Sequence, residues 1–249
     1  MNRRHLLLVS LGTVLGGCAR FTDDPGSGPV VLPTDPATRV ASRIVAGGFV
    51  PIGYNEITPP RLAVYADGTA IADAARQLSL TSAETTDLVR GLRRDLSGLP
   101  ASPKPLGKNA VADAATTTLT VLGADGKTIS VSAYALGILH YDAALTAADE
   151  RIDKLSKRVA EQGKPYVSAR IRLVAVPQQG TGTSPRWPDT VPIPSKKDGR
   201  MVLVSDLADS VAQAAIAAVP EKFNGPWDTF TTPGGDTLAV SWRYLLPDE

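Results

Sequence analysis

The stretch that decides the fold is residues 62–72, which read Leu62-Ala63-Val64-Tyr65-Ala66-Asp67-Gly68-Thr69-Ala70-Ile71-Ala72. Two short apolar runs flank an Asp-Gly pair. This pattern is typical of a β-hairpin with a type I′ turn, in which both central residues take positive φ. We therefore expect two antiparallel strands joined at Asp67-Gly68.

A helix is predicted directly after this hairpin. Thr81 stands three residues before Glu84, the spacing of a capping box that opens a helix. In that helix Leu88, Leu92 and Leu96 share one face, as expected for packing on a sheet. Gly98 and Pro100 end the helix, so residues 62–97 predict a ββα unit.

The second half of the chain repeats this plan. Apolar runs at 119–121 and 129–131 flank Asp125-Gly126, and a helix from about Thr146 to Gly163 carries an apolar stripe. The Pro-rich stretch 100–112 between the two units is a candidate subdomain break. We expect an α+β fold, with an antiparallel sheet built from hairpins and helices packed on one face, and we hypothesise that the two ββα units are similar.

The flanking segments predict further strands. The run 44–50, interrupted by Gly47-Gly48, is expected to form a first strand, and residues 166–175 alternate between apolar and polar as a half-buried strand does. A long Pro-rich loop over 177–200 follows, and its length makes it a candidate functional or mobile loop. The C-terminal part predicts a strand at 201–204, a helix over 206–219 and a hairpin turning near Gly234-Gly235.

The N-terminus has the pattern of an export signal. Arg3 and Arg4 precede an apolar run over 6–15, which is about half the roughly 20 residues that a membrane-spanning helix needs. The tetrapeptide Leu15-Gly16-Gly17-Cys18 resembles the lipobox of bacterial lipoproteins. This resemblance implies a diacylglycerol on the Cys18 sulfur, cleavage before Cys18 and acyl chains that hold the protein on the membrane.

We accordingly expect a signal peptide over 1–17, a lipidated cysteine with a flexible tether over 18–40, and an extracytoplasmic domain over 41–249. The domain would sit on the outer face of the cell membrane. The sequence is compatible with two export routes, the general route and the twin-arginine route, because Arg3-Arg4 followed by His5 and two leucines fits both.

Composition excludes several functions. Without residues 1–17 the chain keeps 24 of its 26 Lys and Arg residues against 25 acids, so no basic surface for nucleic acid is expected. Cys18 is the only cysteine. Once it is lipidated, the folded part has no thiol for a disulfide or a thiolate metal site. We expect no metal and no cofactor.

Two residues are candidates for ligand binding. His140 is the only histidine after residue 17, so a multi-histidine zinc site is excluded, and no Gly-x-Ser-x-Gly motif presents a serine for a triad with it. Trp187 stands between Arg186 and Pro188 in the long loop, where we expect an exposed aromatic contact. No catalytic residue is assigned.

Several stretches resemble a group of actinobacterial cell-envelope lipoproteins, and they lie at 47–49, 64–68, 131–137 and 243–247. The resemblance implies an anchored α+β domain and supplies no site residue. The leading hypothesis is a binding or interaction module with an envelope protein or glycan as partner. The alternatives are an envelope hydrolase that uses a carboxylate pair and a solute-binding component of a transporter.

Overall fold

The chain forms two antiparallel sheets and four helices in a computed structural model that describes residues 29–107, 110–179, 184–196, 201–221 and 226–249. The helices are α1 (Tyr54–Ile57), α2 (Ser82–Leu96), α3 (Ala143–Gln162) and α4 (Asp209–Ala218). The strands are β1 (Arg39–Ala46), β2 (Leu62–Tyr65), β3 (Thr69–Ala72), β4 (Arg76–Ser79), β5 (Thr116–Leu122), β6 (Thr128–Tyr134), β7 (Lys164–Pro165), β8 (Arg170–Gln178), β9 (Ser195–Lys196), β10 (Leu203–Ala208), β11 (Asp228–Thr231) and β12 (Thr237–Tyr244). The fold is α+β, as the sequence predicts.

The larger sheet has the strand order β6-β5-β1-β2-β3-β4-β7. Strand β1 lies between the two predicted hairpins and pairs with β2 on one side and with β5 on the other. Helices α2 and α3 contribute Leu92 and Ile152 to the core on one face of this sheet. One sheet thus contains strands from before and after residues 100–112, the segment where the sequence suggests a subdomain break.

Helix α2 is fixed at both ends by side chains. The Thr81 hydroxyl accepts a hydrogen bond from the Glu84 N–H at 3.2 Å, and the Glu84 carboxylate accepts from the Thr81 N–H at 2.8 Å, which confirms the capping box. In the last turn, the guanidinium of Arg93 is 2% exposed and donates to the carbonyls of Leu122 and Gly123 at the end of β5. The helix is thereby bound to the neighbouring hairpin.

Both predicted hairpins are present, but their turns differ from the prediction. Only the glycine of each Asp-Gly pair has positive φ, +87° at Gly68 and +79° at Gly126. The Gly68 N–H donates to the Tyr65 carbonyl at 3.0 Å, as in a type I turn followed by a left-handed glycine. The expected type I′ geometry is therefore wrong, because it needs positive φ at the aspartate as well.

The second sheet has the order β11-β12-β8-β10-β9 and is covered on both faces. Helix α4 packs on one face, and the Trp242 indole N–H there donates to the carbonyl of Val219 at 2.7 Å. On the other face, Ile57 of α1 packs against Val174 and Val176. The described helices include none whose length and apolarity would allow it to cross a bilayer.

Several element boundaries differ from those expected. Strand β1 begins at Arg39 and ends at Ala46, and Val30 and Leu32 pack on the core of the larger sheet, so the folded part starts before residue 41. Helix α3 begins three residues early, since the Asp142 carboxylate caps it. The residues expected to open a helix at 206 belong instead to β10, which pairs with β8 up to residue 208.

The last five residues join the two sheets, and we call residues 245–249 the C-terminal latch. Leu246 packs against Tyr65 of the larger sheet. The Asp248 carboxylate accepts from the Arg39 guanidinium at 2.7 Å and from the Tyr65 hydroxyl at 2.8 Å. Glu249 binds the 3%-exposed side chain of Arg243 through two hydrogen bonds of 2.7 and 2.8 Å.

Replacing Glu249 by glutamine should lower the free energy of unfolding by about 3 kcal/mol, because it leaves the buried Arg243 cation without its counter-charge. Urea unfolding at neutral pH measures this. The matched control is Asp87→Asn, which removes an acid whose side chain is 71% exposed and should change stability by less than about 0.5 kcal/mol. Equal effects in the two variants would contradict the role of the latch.

The latch also predicts a pH dependence. Burial alone would raise the pKa of Glu249, but the Arg243 hydrogen bonds and charge, with the Leu246 N–H and Arg172, outweigh it and hold the pKa below its ordinary 4.5. The stability that ionised Glu249 contributes is therefore complete above that ordinary pKa and is lost as pH falls through the lowered folded-state pKa. The difference in unfolding free energy between wild type and Glu249→Gln should shrink as pH falls through this range. A constant difference would contradict the prediction.

Candidate functional site

Three loops meet at one edge of the larger sheet. Ala46, the last residue of β1, pairs with Thr116, the first residue of β5, and Thr116 pairs with Tyr134, the last residue of β6. Because neighbouring antiparallel strands thus begin and end at one edge, the segments 47–53, 110–115 and 135–140 lie side by side. With residues 104–107, which contact this group, they form what we call the apolar loop end.

Large apolar side chains are exposed on this surface. The exposed fraction is 92% for Phe49, 64% for Ile138, 63% for Leu106 and 56% for Ile52. The loop end holds four of the ten exposed large hydrophobic residues in the described part of the chain, and Tyr134, the adjoining last residue of β6, is a fifth. Single exposed apolar residues need no explanation, whereas their concentration on one surface makes the loop end the candidate functional site.

Backbone hydrogen bonds hold the loops together. The Phe49 N–H donates to the Asp113 carbonyl at 3.1 Å, and the Leu106 N–H donates to the His140 carbonyl at 2.7 Å. The Tyr134 hydroxyl donates to the carbonyl of Val111 and accepts from the N–H of Ala114, both at 2.9 Å. The apolar side chains are therefore presented on a connected backbone.

The backbone of the loop end also takes unusual conformations. Ala135 has a φ of +53°, a left-handed conformation that costs a non-glycine residue roughly 1–3 kcal/mol and concentrates at functional sites. Gly48 has a φ of +80°, and a Cβ there would lie 3.0 Å from the Asp113 carbonyl oxygen. A glycine is thus required directly before Phe49 to bring that loop against its neighbour.

The structure separates the two residues predicted to bind a ligand. His140 is exposed and lies in the apolar loop end, two residues from Ile138. Trp187 is 3% exposed, its indole N–H donates to the Val191 carbonyl at 2.6 Å, and its ring packs edge-on against Phe230. The expectation that Trp187 is an exposed contact is therefore wrong.

The burial of Trp187 follows from strand pairing. The Trp187 N–H donates to the Thr231 carbonyl, and the Thr231 N–H donates to the Pro185 carbonyl, both at 2.8 Å. Residues 185–187 thus extend the edge of β11, and the indole turns into the core of the second sheet. Cys18, the predicted lipidation site, lies outside the described residues.

The acids in the cleft between α2 and α3 form ion pairs. In a cleft of about 270 Å³ between α2 and α3, Glu84 is paired with Arg158 at 2.9 Å and Asp87 with Arg90 at 2.6 Å. Hydrogen bonds from the Thr81 backbone and hydroxyl, and then Arg158, lower the pKa of Glu84 to about 2. A carboxyl group with that pKa is a poor general acid at neutral pH. The described residues also contain no group of three or more His, Cys, Asp or Glu arranged to hold a metal ion.

Sequence reasoning missed the residues of the loop end. It assigned 44–50 to a strand, although Phe49 stands between a Gly-Gly pair and Val50-Pro51, and Leu106 likewise stands between a proline and a glycine. Large apolar residues among loop-forming residues were the available signal. No protein-family model, curated protein or solved structure matches the chain.

Replacing Trp187 by alanine should lower the free energy of unfolding by about 3–5 kcal/mol, because it opens a cavity in the core of the second sheet. Phe49→Ala, at an exposed position, should change it by less than about 0.5 kcal/mol. Urea unfolding followed by far-UV circular dichroism compares the two variants. A large loss of stability in Phe49→Ala would mean that Phe49 serves the fold rather than a partner.

Proposed function

We propose that this chain is a lipid-anchored binding module on the outer face of the cell membrane, and that the apolar loop end is its binding surface. The observation that carries the proposal is the 92% exposure of Phe49 on a loop that hydrogen bonds hold in place. Full burial of such a side chain is worth about 1.5–3 kcal/mol relative to leaving it exposed. The fold gains none of this, so the gain is available for binding.

The other candidate residues give less support to catalysis than the loop end gives to binding. In the described part of the chain, the acids of the cleft between α2 and α3 are paired with arginines, and the indole of Trp187 belongs to the core. His140 is exposed among the apolar side chains of the loop end. None of the described contacts gives its imidazole a hydrogen-bond partner that would orient it as a general base. The loop end combines exposed apolar area with a fixed backbone, as recognition surfaces do.

The proposed anchor rests on the sequence. Cys18 follows a charged segment, an apolar run and two glycines, and it is the only cysteine of 249 residues. Diacylglycerol with a further acyl chain would hold the domain stably, since a single myristoyl chain binds a membrane only marginally.

Replacing Cys18 by serine should release the protein from the membrane fraction, because the thiol that receives the lipid is lost. Fractionation of cells followed by immunoblotting measures this, with Thr22→Ser in the predicted tether as the matched control. If Cys18→Ser still sediments with membranes as the control does, the anchor is not at Cys18.

A photo-crosslinking amino acid at position 49 or 138 should give adducts in intact cells, because both positions lie on the proposed binding surface. The control position is Val167, which is 65% exposed and lies outside the loop end. Gel electrophoresis and mass spectrometry of the adducts give the readout. If positions 49 and 138 give no more adduct than position 167, the loop end is not a binding surface.

A further inference from the structure

We infer that the apolar loop end binds the lipid bilayer itself, with Phe49, Leu106 and Ile138 inserted at the boundary between headgroups and acyl chains. The inference rests on the proposed function and names the partner of its binding surface. The bilayer to which Cys18 would be attached supplies that partner. Apolar groups at such interfaces enter about 5–10 Å deep.

The shape of the surface favours lipid over a folded protein. Phe49 and Ile138 lie on separate loops with exposed fractions of 92% and 64%, so each side chain has little contact with its neighbours. A stable protein interface needs roughly 800 Å² of complementary surface on each partner. Lipid deforms around separate side chains and needs no such complementarity.

The predicted tether is long enough for the loop end to face the bilayer that would hold the lipid on Cys18. Eleven residues lead from Cys18 to Pro29, the first described residue, and their fully extended span is at most about 40 Å. The eight residues of β1 span only about 23 Å along the sheet. The lipid on Cys18 can therefore reach the bilayer when the loop end faces it, whichever end of β1 Pro29 lies near.

The charges at the loop end are compatible with a membrane surface. Lys104 and His140 are exposed, and each stands two residues from an apolar tip, Leu106 or Ile138. A lysine extends its amine toward headgroups while its neighbours enter the apolar layer. Two acids lie nearby: Asp142, which accepts from the Ala144 N–H at 2.8 Å, and Asp113, which is exposed.

The experiment uses the full lipidated chain, in which Cys18 is blocked by lipid and an introduced cysteine is the only free thiol. Purified protein is reconstituted in vesicles of phosphatidylcholine and phosphatidylglycerol, with Phe49→Cys or Ile138→Cys labelled by an environment-sensitive maleimide dye. Val167→Cys is the control for an exposed position outside the loop end. Wild type should remain unlabelled, because a thioether-linked Cys18 has no free thiol. Labelling of wild type would contradict the proposed anchor at Cys18. The membrane contact of the loop end is tested separately, by the quenching measurement described next.

Dye at positions 49 and 138 should shift to the blue and lose most of its fluorescence when the lipids carry a spin label near the headgroup end of the acyl chain. Dye at 167 should do neither. Unshifted, unquenched dye at 49 and 138 would overturn the inference. A blue shift without quenching would also overturn it, because the loop end would then be covered by protein, either a second copy or another partner, while the proposed binding surface would stand.

A second substitution tests whether the loops act together. With the dye at Ile138→Cys, the added change Phe49→Asp should reduce the quenching, since the loops are joined by hydrogen bonds and withdraw as one unit. The matched change Val167→Asp should leave the quenching unaltered. If Phe49→Asp leaves the quenching undiminished, Phe49 is not part of the membrane contact and the inference is overturned.

Discussion

The pairing of β1 with both β2 and β5 is the constraint on which the rest of the structure depends. Without this central strand the sheet would divide into the four strands β2-β3-β4-β7 and the isolated hairpin β5-β6, and an isolated two-stranded hairpin is marginally stable in water. With it they become one seven-stranded sheet whose face is wide enough to bury α2 and α3 together. The same register aligns Ala46, Thr116 and Tyr134 at one edge, and so it also creates the apolar loop end.

The second sheet is bound to this frame by a few polar contacts around apolar ones. The C-terminal latch places Leu246 on the free face of the larger sheet and fixes it with Asp248 and Glu249. Helix α1, on the chain that leaves the Phe49 loop, packs on the second sheet through Ile57. A Cβ at Gly53 would lie 2.7 Å from the Val176 side chain. The Phe49 loop is therefore supported from both sheets, which suits a surface that must keep its apolar residues exposed.

This arrangement gives the domain a surface with a fixed backbone at the apolar loop end. Its paired acids stabilise helix ends and contacts between elements, and its buried tryptophans pack the second sheet. The exposed apolar side chains of the loop end, by contrast, contribute little to the core. Their position on one side of the domain connects the proposed lipid at Cys18 with the proposed contact of the loop end, since both would involve the same bilayer.

The sequence by itself determined the local elements. The hairpins at 62–72 and 119–131, the capping box at Thr81 and the apolar stripes of two helices depend on neighbouring residues, so local periodicity was enough to predict them. The prediction of the lipid anchor at Cys18 likewise rests on local sequence. Tertiary structure decided what depends on distant partners. Residues 206–208 became strand because β8 pairs with them, and Trp187 became buried because its backbone pairs with Thr231. The apolar loop end exists only where the ends of three strands coincide, and no local pattern carries that register.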